Sequence, residues 1–240
     1  MSATRPAYRP DRPLPHRDGD PLPSLDGMGN VVVYGAGGTA GSRIVAEAAG
    51  RGHRVTAAVR RPEAVTWLPA GVRVVTGDVT SARSVAELAP EADVIVVAVG
   101  GGERALWRTA AENLVTVLRD LPDPPRVIHV GGGATLLTER DTPFLDEPDF
   151  PAGYREPALG QADALALYRS SADGVTWTYV SPPPVEFHPG ERTGRYRTGT
   201  EHPVTDGQGR SVLSYEDLAV AIVDEIEEPR FENMRFTAAY

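Results

Sequence analysis

Short β-branched runs alternate along the chain with longer segments whose apolar residues recur every three to four positions. The first run, Val31-Val32-Val33-Tyr34, is apolar throughout, as expected for a central parallel strand buried on both faces. Glycines follow it, and Thr39 to Gly50 then reads as a helix carrying Ile44, Val45, Ala48 and Ala49 on one side. Further strands are predicted at Arg54 to Val59, Val72 to Thr76, Asp93 to Val99, Arg126 to Val130 and Val175 to Val180. Helices are predicted over Glu103 to Leu118 and Pro157 to Ser170. Such alternation with short links calls for an α/β fold: a doubly wound, mainly parallel sheet with helices on both faces.

Beyond residue 180 the pattern weakens. Ser181-Pro182-Pro183-Pro184 stops the sixth strand, and Arg195 to Gly199 alternates weakly, like a short strand or hairpin arm. Residues 181–213 are expected to form a small C-terminal cap over the carboxyl ends of the strands, where such sheets place ligands. Ser214-Tyr215-Glu216-Asp217 opens a helix with capping-box spacing, and Phe231 to Ala238 reads as an edge strand. Residues 1–28 carry six prolines, four arginines and four aspartates, which predicts an extended or disordered leader ahead of a single domain at 29–240.

Composition narrows the chemistry. The apolar content of 41% supports one substantial core, and a net charge of -9 opposes binding to nucleic acid or an anionic membrane. Cysteine is absent, which removes disulfides and thiolate chemistry. All 24 basic residues are arginine, so a Schiff-base amine and a P-loop lysine are excluded. The histidines at 16, 53, 129, 188 and 202 show no metal-ligand spacing, and no metal site is expected. No apolar window approaches the roughly 20 residues of a spanning helix. A soluble, cytoplasmic protein is expected, monomer or homodimer, acting on a small molecule.

The richest local signal is Gly35-Ala36-Gly37-Gly38-Thr39-Ala40-Gly41, set between a strand and a helix. Gly35 permits a tight turn, Gly38 lets the backbone approach a pyrophosphate, and Gly41 allows helix and strand to pack closely. The helix start offers N–H groups and a partial positive charge to the phosphates of a dinucleotide, which places Gly37, Thr39 and Ala40 in the same site. The second strand runs into Arg60-Arg61, where an NAD-selective site would often carry an acid. An arginine there attracts a 2′-phosphate, favouring NADP(H) over NAD(H); the alternative is that both arginines simply face solvent. Asp78 and Val79, after the third strand, are placed to meet adenine, and Val99-Gly100 would let the cofactor lie against the sheet edge.

The segments GAGGTAGSRIV, GHRVTAAVR, GDVT, DVIVVAVG and VIHVGGGATL resemble the atypical short-chain dehydrogenase/reductase group, in particular its NmrA-like and NADH-flavin reductase-like NAD(P)H-binding members. The likeness covers nearly everything after residue 29. It implies a Rossmann-like fold, a phosphate turn at Gly35, Gly38 and Gly41, a 2′-phosphate contact at Arg60, and an adenine-side acid at Asp78. Thr135 falls where relatives commonly carry a serine after the fifth strand. The Tyr-x-x-x-Lys pair of ordinary short-chain dehydrogenases is missing, because Tyr154 is followed four residues later by Ala158. An unassisted phenol, with a pKa of about 10, is a poor base at neutral pH.

Hydride transfer to a flavin such as FMN or FAD, a quinone or another conjugated acceptor does not need that pair, since solvent can supply the proton. That is the expected activity. Alternatives are an NADP-binding redox regulator without turnover, or a scaffold recruited for isomerisation or cyclisation. Tyr154, Thr135 and His188 are the candidate catalytic residues, with Glu156 and Gln161 bordering the substrate side. His129 reads as a satisfied core or sheet-edge histidine. His188, Glu191, Arg192, Tyr196 and Arg197 form either an anionic-substrate set or a surface ion network.

Overall fold

The structure, a computed structural model, describes residues 28–101 and 103–240. The expected leader therefore lies outside the described residues, apart from Met28. The strands are β1 (Asn30–Tyr34), β2 (Arg54–Val59), β3 (Arg73–Thr76), β4 (Val94–Val97), β5 (Arg126–Val130), β6 (Trp177–Ser181), β7 (Glu186–His188), β8 (Arg197–Gly199), β9 (Val212–Ser214) and β10 (Met234–Ala239). The helices are α1 (Thr39–Gly50), α2 (Ala82–Leu88), α3 (Ala105–Leu118), α4 (Arg155–Ser171) and α5 (Tyr215–Glu227).

Eight strands form one sheet in the order β3-β2-β1-β4-β5-β6-β10-β8, parallel except for β8, while β7 and β9 make a separate two-stranded ribbon. The continuous apolar run of β1 is explained by its neighbours, since β2 and β4 both pair with it in parallel. Its side chains alternate between two cores. Val31 and Val33 pack toward Ile44, Val45 and Ala48 of α1 and Leu218 and Ile222 of α5. Val32 and Tyr34 pack toward Val85 of α2, Trp107 and Leu114 of α3, and Tyr168 of α4. The result is the Rossmann-like doubly wound sheet with helices on both faces. After β1 the chain winds outward through β2 and β3, then crosses back to β4 on the other side of β1. That crossing leaves a switch point between the carboxyl ends of β1 and β4. No helix among the described residues is long and apolar enough to cross a membrane.

Some elements differ from the sequence reading. The last strand is internal, lying between β6 and β8, because the weakly alternating 197–199 segment pairs antiparallel on its outer side and takes the edge. The sixth strand begins at Trp177, since Gly174 holds φ +81 and the Val175 N–H turns back to the Ala172 carbonyl oxygen. The short helix α2, absent from the reading, is capped by Ser81, whose side chain accepts from the Ser84 N–H. At the start of α5, Ser214 Oγ accepts from the Asp217 N–H at 3.0 Å, as the capping box requires. The return bond is missing, because the Asp217 carboxylate accepts instead from the Thr193 and Gly194 N–H groups and from Tyr240 Oη.

The segment 181–213 accordingly divides. Its β8 joins the main sheet and its β7 pairs with β9. The loop between them is pinned to the α1–α5 layer, with the Gly190 N–H on Glu216 and Arg192 on Glu47. Charged side chains on the two helices, rather than the strand ends, hold that part of the expected cap.

Candidate nucleotide-binding site

The turn after β1 is built by close backbone approach. Gly35 sits at φ +78, and a Cβ there would lie 2.4 Å from the Ala98 carbonyl oxygen at the end of β4. A Cβ at Gly41 would lie 2.1 Å from the Gly35 carbonyl oxygen, so a side chain at either position forces strand and helix apart. The turn closes through the Gly38 N–H on the Gly35 carbonyl oxygen at 2.9 Å. Gly38 is the N-cap of α1, with no side-chain cap bond and no acidic residue in the first helical turn. The first N–H groups of a helix have no partner within it, so Thr39, Ala40 and Gly41 present free donors and the positive end of the helix dipole. These features fit a pyrophosphate: open donors, a positive dipole end and no carboxylate to repel it.

Neighbouring chain ends complete the cleft. Gly37 lies beside Val59 of β2 and Val65 of the following loop, which brings the Arg60-Arg61 corner next to the turn. Both arginines are exposed, and among the described residues neither side chain has a hydrogen-bond or ion-pair partner. Asp78 is half-buried, and its carboxylate accepts from the Thr80 N–H at 2.9 Å and from Thr80 Oγ1 at 2.7 Å, which fixes the loop after β3. Val79 is buried, and its carbonyl oxygen accepts from Asn113. Val99 and Gly100 follow β4 at the switch point, with open space around Gly100.

At the end of β5 stand three successive glycines that the sequence reading did not single out. A Cβ on Gly131 would meet the Tyr179 ring, one on Gly132 the Gln161 side chain, and one on Gly133 the backbone of Pro182 and Pro184. The run GGG directly after an apolar strand was the available signal. These glycines let α4, β6 and the proline segment converge on the strand end.

The candidate catalytic residues are spread over this region, and no hydrogen bond joins them. Thr135 is buried, donates its hydroxyl to the Gly132 carbonyl oxygen at 2.9 Å, and accepts from Arg235 Nη1 at 3.1 Å. Tyr154, just before α4, is 69% exposed. His188 is exposed on β7, with Nδ1 3.0 Å from the Pro189 carbonyl oxygen. His129 is a core residue as expected, but it is only partly satisfied: Nδ1 lies 3.0 Å from Tyr168 Oη, Nε2 has no partner among the described residues, the ring stacks on Tyr179, and burial pushes its pKa down to about 3. It stays neutral at physiological pH. Three members of the set around His188 make structural ties. Arg192 pairs with Glu47, Tyr196 Oη donates to Asp224, and Arg197 donates to the Thr205 and Tyr240 carbonyl oxygens.

Buried charges further along the chain were missed entirely. Glu225 accepts from Arg126 Nη1 at 3.0 Å, from Thr178 Oγ1 at 3.2 Å and from the Arg230 and Phe231 N–H groups. Arg235 is buried against Thr135 and Glu201. They lie in elements the sequence predicts, but nothing in local periodicity separates an inward charged side chain from an outward one.

Comparison with known proteins agrees with this geometry. The uncharacterized protein YwnB of Bacillus subtilis is 34% identical over 209 residues, covering 85% of this chain and 95% of its own. A Streptococcus pneumoniae protein, provisionally assigned as an NADH-flavin reductase, is 31% identical, with a TM-score of 0.76 over 88% of this chain and 99% of its own. A Bacteroides thetaiotaomicron protein, provisionally assigned as an epimerase, is 29% identical, with a TM-score of 0.81 over 89% of this chain and 97% of its own. A family model described as NAD(P)H-binding matches residues 35–229, from the first glycine of the turn to just past the end of α5, and the chain belongs to that NAD(P)H-binding family.

Proposed function

We propose that the protein is an NADP(H)-dependent reductase that delivers hydride to a flavin, a quinone or another small conjugated acceptor. One observation carries the reading: the open glycine turn at the switch point stands beside two arginines that no described carboxylate engages. The provisional assignment of the pneumococcal relative supports it.

In this reading the Thr39, Ala40 and Gly41 N–H groups hold the pyrophosphate, with Gly35, Gly37 and Gly38 keeping the backbone clear. Arg60 and Arg61 hold the 2′-phosphate through charge-assisted hydrogen bonds. Asp78 and Val79 border the adenine, and Val99 and Gly100 let the nucleotide lie against the end of β4. Bound NADPH supplies the hydride itself. Thr135 is a positioning residue, since its hydroxyl is committed to the Gly132 carbonyl oxygen and holds the loop after β5. Tyr154 and His188 are the exposed protic groups assigned to the acceptor side. No lysine stands ready to lower a tyrosine pKa, so the proton comes from solvent.

The test pairs calorimetry of NADPH and NADH with an acceptor screen followed at the nicotinamide absorbance. Tighter binding of NADPH, together with its oxidation in the presence of FMN, FAD or a quinone, is the expected result. Tight binding with no acceptor-dependent oxidation would replace the reductase with a nucleotide-binding regulator. Equal affinity for the two nucleotides would remove the arginine argument.

A further inference from the structure

Away from the glycine turn, a groove of about 370 Å³ runs between α4 and the chain that follows β5. Its walls include Leu137, Pro143 and Leu165, and its polar end is formed by Arg169, Glu201 and Arg235. Arg235 is 1% exposed, although it carries a full charge on an interior strand. Its Nη1 donates to the Thr135 carbonyl oxygen at 2.6 Å, its Nη2 donates to the Glu201 carboxylate, and its Nε has no partner among the described residues. The Glu201 carboxylate also accepts from Arg169 Nη2 at 2.6 Å. One carboxylate is therefore shared by two guanidinium groups.

The contrast with the other buried arginine is instructive. Arg126 has Glu225 to itself as a charge partner and adds the Glu225 and Ile226 carbonyl oxygens. A buried charge short of counter-charge is costly, and the cost falls when another anion reaches it. Burial holds the Arg235 guanidinium below the ordinary arginine value, and the Glu201 charge offsets this only in part. Glu201 is half-buried, with its side chain 37% exposed at the polar end of the groove.

We propose that this groove is a binding site for a small amphipathic monocarboxylate. Its carboxylate takes the place of Glu201 between Arg169 and Arg235, and its apolar tail lies along Leu137, Pro143 and Leu165. Glu201 is then an internal substitute for the ligand. The site shares no residue with the proposed nucleotide cleft other than Thr135, a positioning residue there, so its test does not depend on the cofactor reading.

Hexanoate is a suitable probe, with acetate carrying the charge alone and hexan-1-ol the tail alone. Calorimetry on the full chain is expected to show weak hexanoate binding and a weaker response to either control. Glu201→Gln removes the competing charge and keeps the side chain's shape, so hexanoate should bind about tenfold more tightly. Arg169→Gln, at a half-exposed position on α4, should weaken it by a similar factor. A purely structural ion cluster predicts the reverse for Glu201→Gln, a lower melting temperature with no gain in affinity. That result would overturn the proposal, as would equal responses to hexanoate and acetate, or no heat from hexanoate in any of the three proteins.

Discussion

The two ends of the eight-stranded sheet are stabilised by different means. From β3 to β4 the strands are joined by an almost wholly apolar interior, and the functional geometry there rests on what is missing: side chains at Gly35 and Gly41, and a cap on α1. From β5 to β8 the interior contains charge, with Arg126 on Glu225 and Arg235 on Glu201, while the flanking α5 buries the Asp217 carboxylate. The first region fixes its shape by packing alone and leaves its donors open to a ligand. The second spends most of its donors and acceptors internally, apart from a few buried atoms such as Arg235 Nε and His129 Nε2, and so is sensitive to the loss of any one partner.

The sharpest way to break this contrast is to remove one member of the buried pair. Glu225→Ala leaves Arg126 without its counter-charge and the Arg230 and Phe231 N–H groups without their acceptor, and should lower unfolding stability in urea by about 3–5 kcal/mol. Arg126→Met combined with Glu225→Leu should recover much of that loss. If the single variant is as stable as the parent, the second region does not depend on its charges.

In the first region, Gly41→Ala places a methyl group against the Gly35 carbonyl oxygen. NADPH affinity should fall by at least about a hundredfold, or ~2.7 kcal/mol, when measured by calorimetry. A variant that binds as the parent does would show that the turn does not hold the nucleotide.

Acid sharpens the comparison through His129. Burial lowers its pKa from 6.5 to about 3, so the unfolded chain takes up a proton below pH 6.5 that the folded chain refuses. Stability should therefore fall as pH drops through this window, by up to about 1.4 kcal/mol per pH unit. Between pH 6.5 and 5 the effect is separated from the carboxylates. His129→Phe should flatten the urea-midpoint profile there, and an unchanged slope would assign the acid sensitivity elsewhere.

The smallest effect is expected at the corner of β2. Arg60→Ala with Arg61→Ala should reduce the preference for NADPH over NADH by about tenfold, near 1.4 kcal/mol, without changing the melting temperature of the free protein. Unchanged discrimination would return both side chains to the role of ordinary surface arginines.

Legibility followed the same division. The strand β1, the helix α1 and the glycine turn could be read from the sequence, because uninterrupted β-branched runs and glycine spacing are local signals. Only local chain chemistry is needed to recognise Gly35 and Gly41. The clasp on Asp217, the pairing of Arg126 with Glu225 and the groove around Arg235 join residues far apart in the chain, and their inward direction is decided by tertiary packing. The edge position of β8 was hidden for a related reason: three residues pair there because β10 offers a free edge, with little support from their own periodicity.

The glycine triplet after β5 also bears on how this scaffold could be re-tailored. Position 131 is closed by a tyrosine ring, 132 by a glutamine and 133 by a proline backbone, so even the smallest added side chain collides with a different element at each. Directed evolution of the site should find 131 and 133 closed to substitution, whereas at 132 the flexible end of Gln161 can give way. Its productive diversity should instead collect at Tyr154, Val185 and His188, whose outward side chains can be exchanged at little expense to folding.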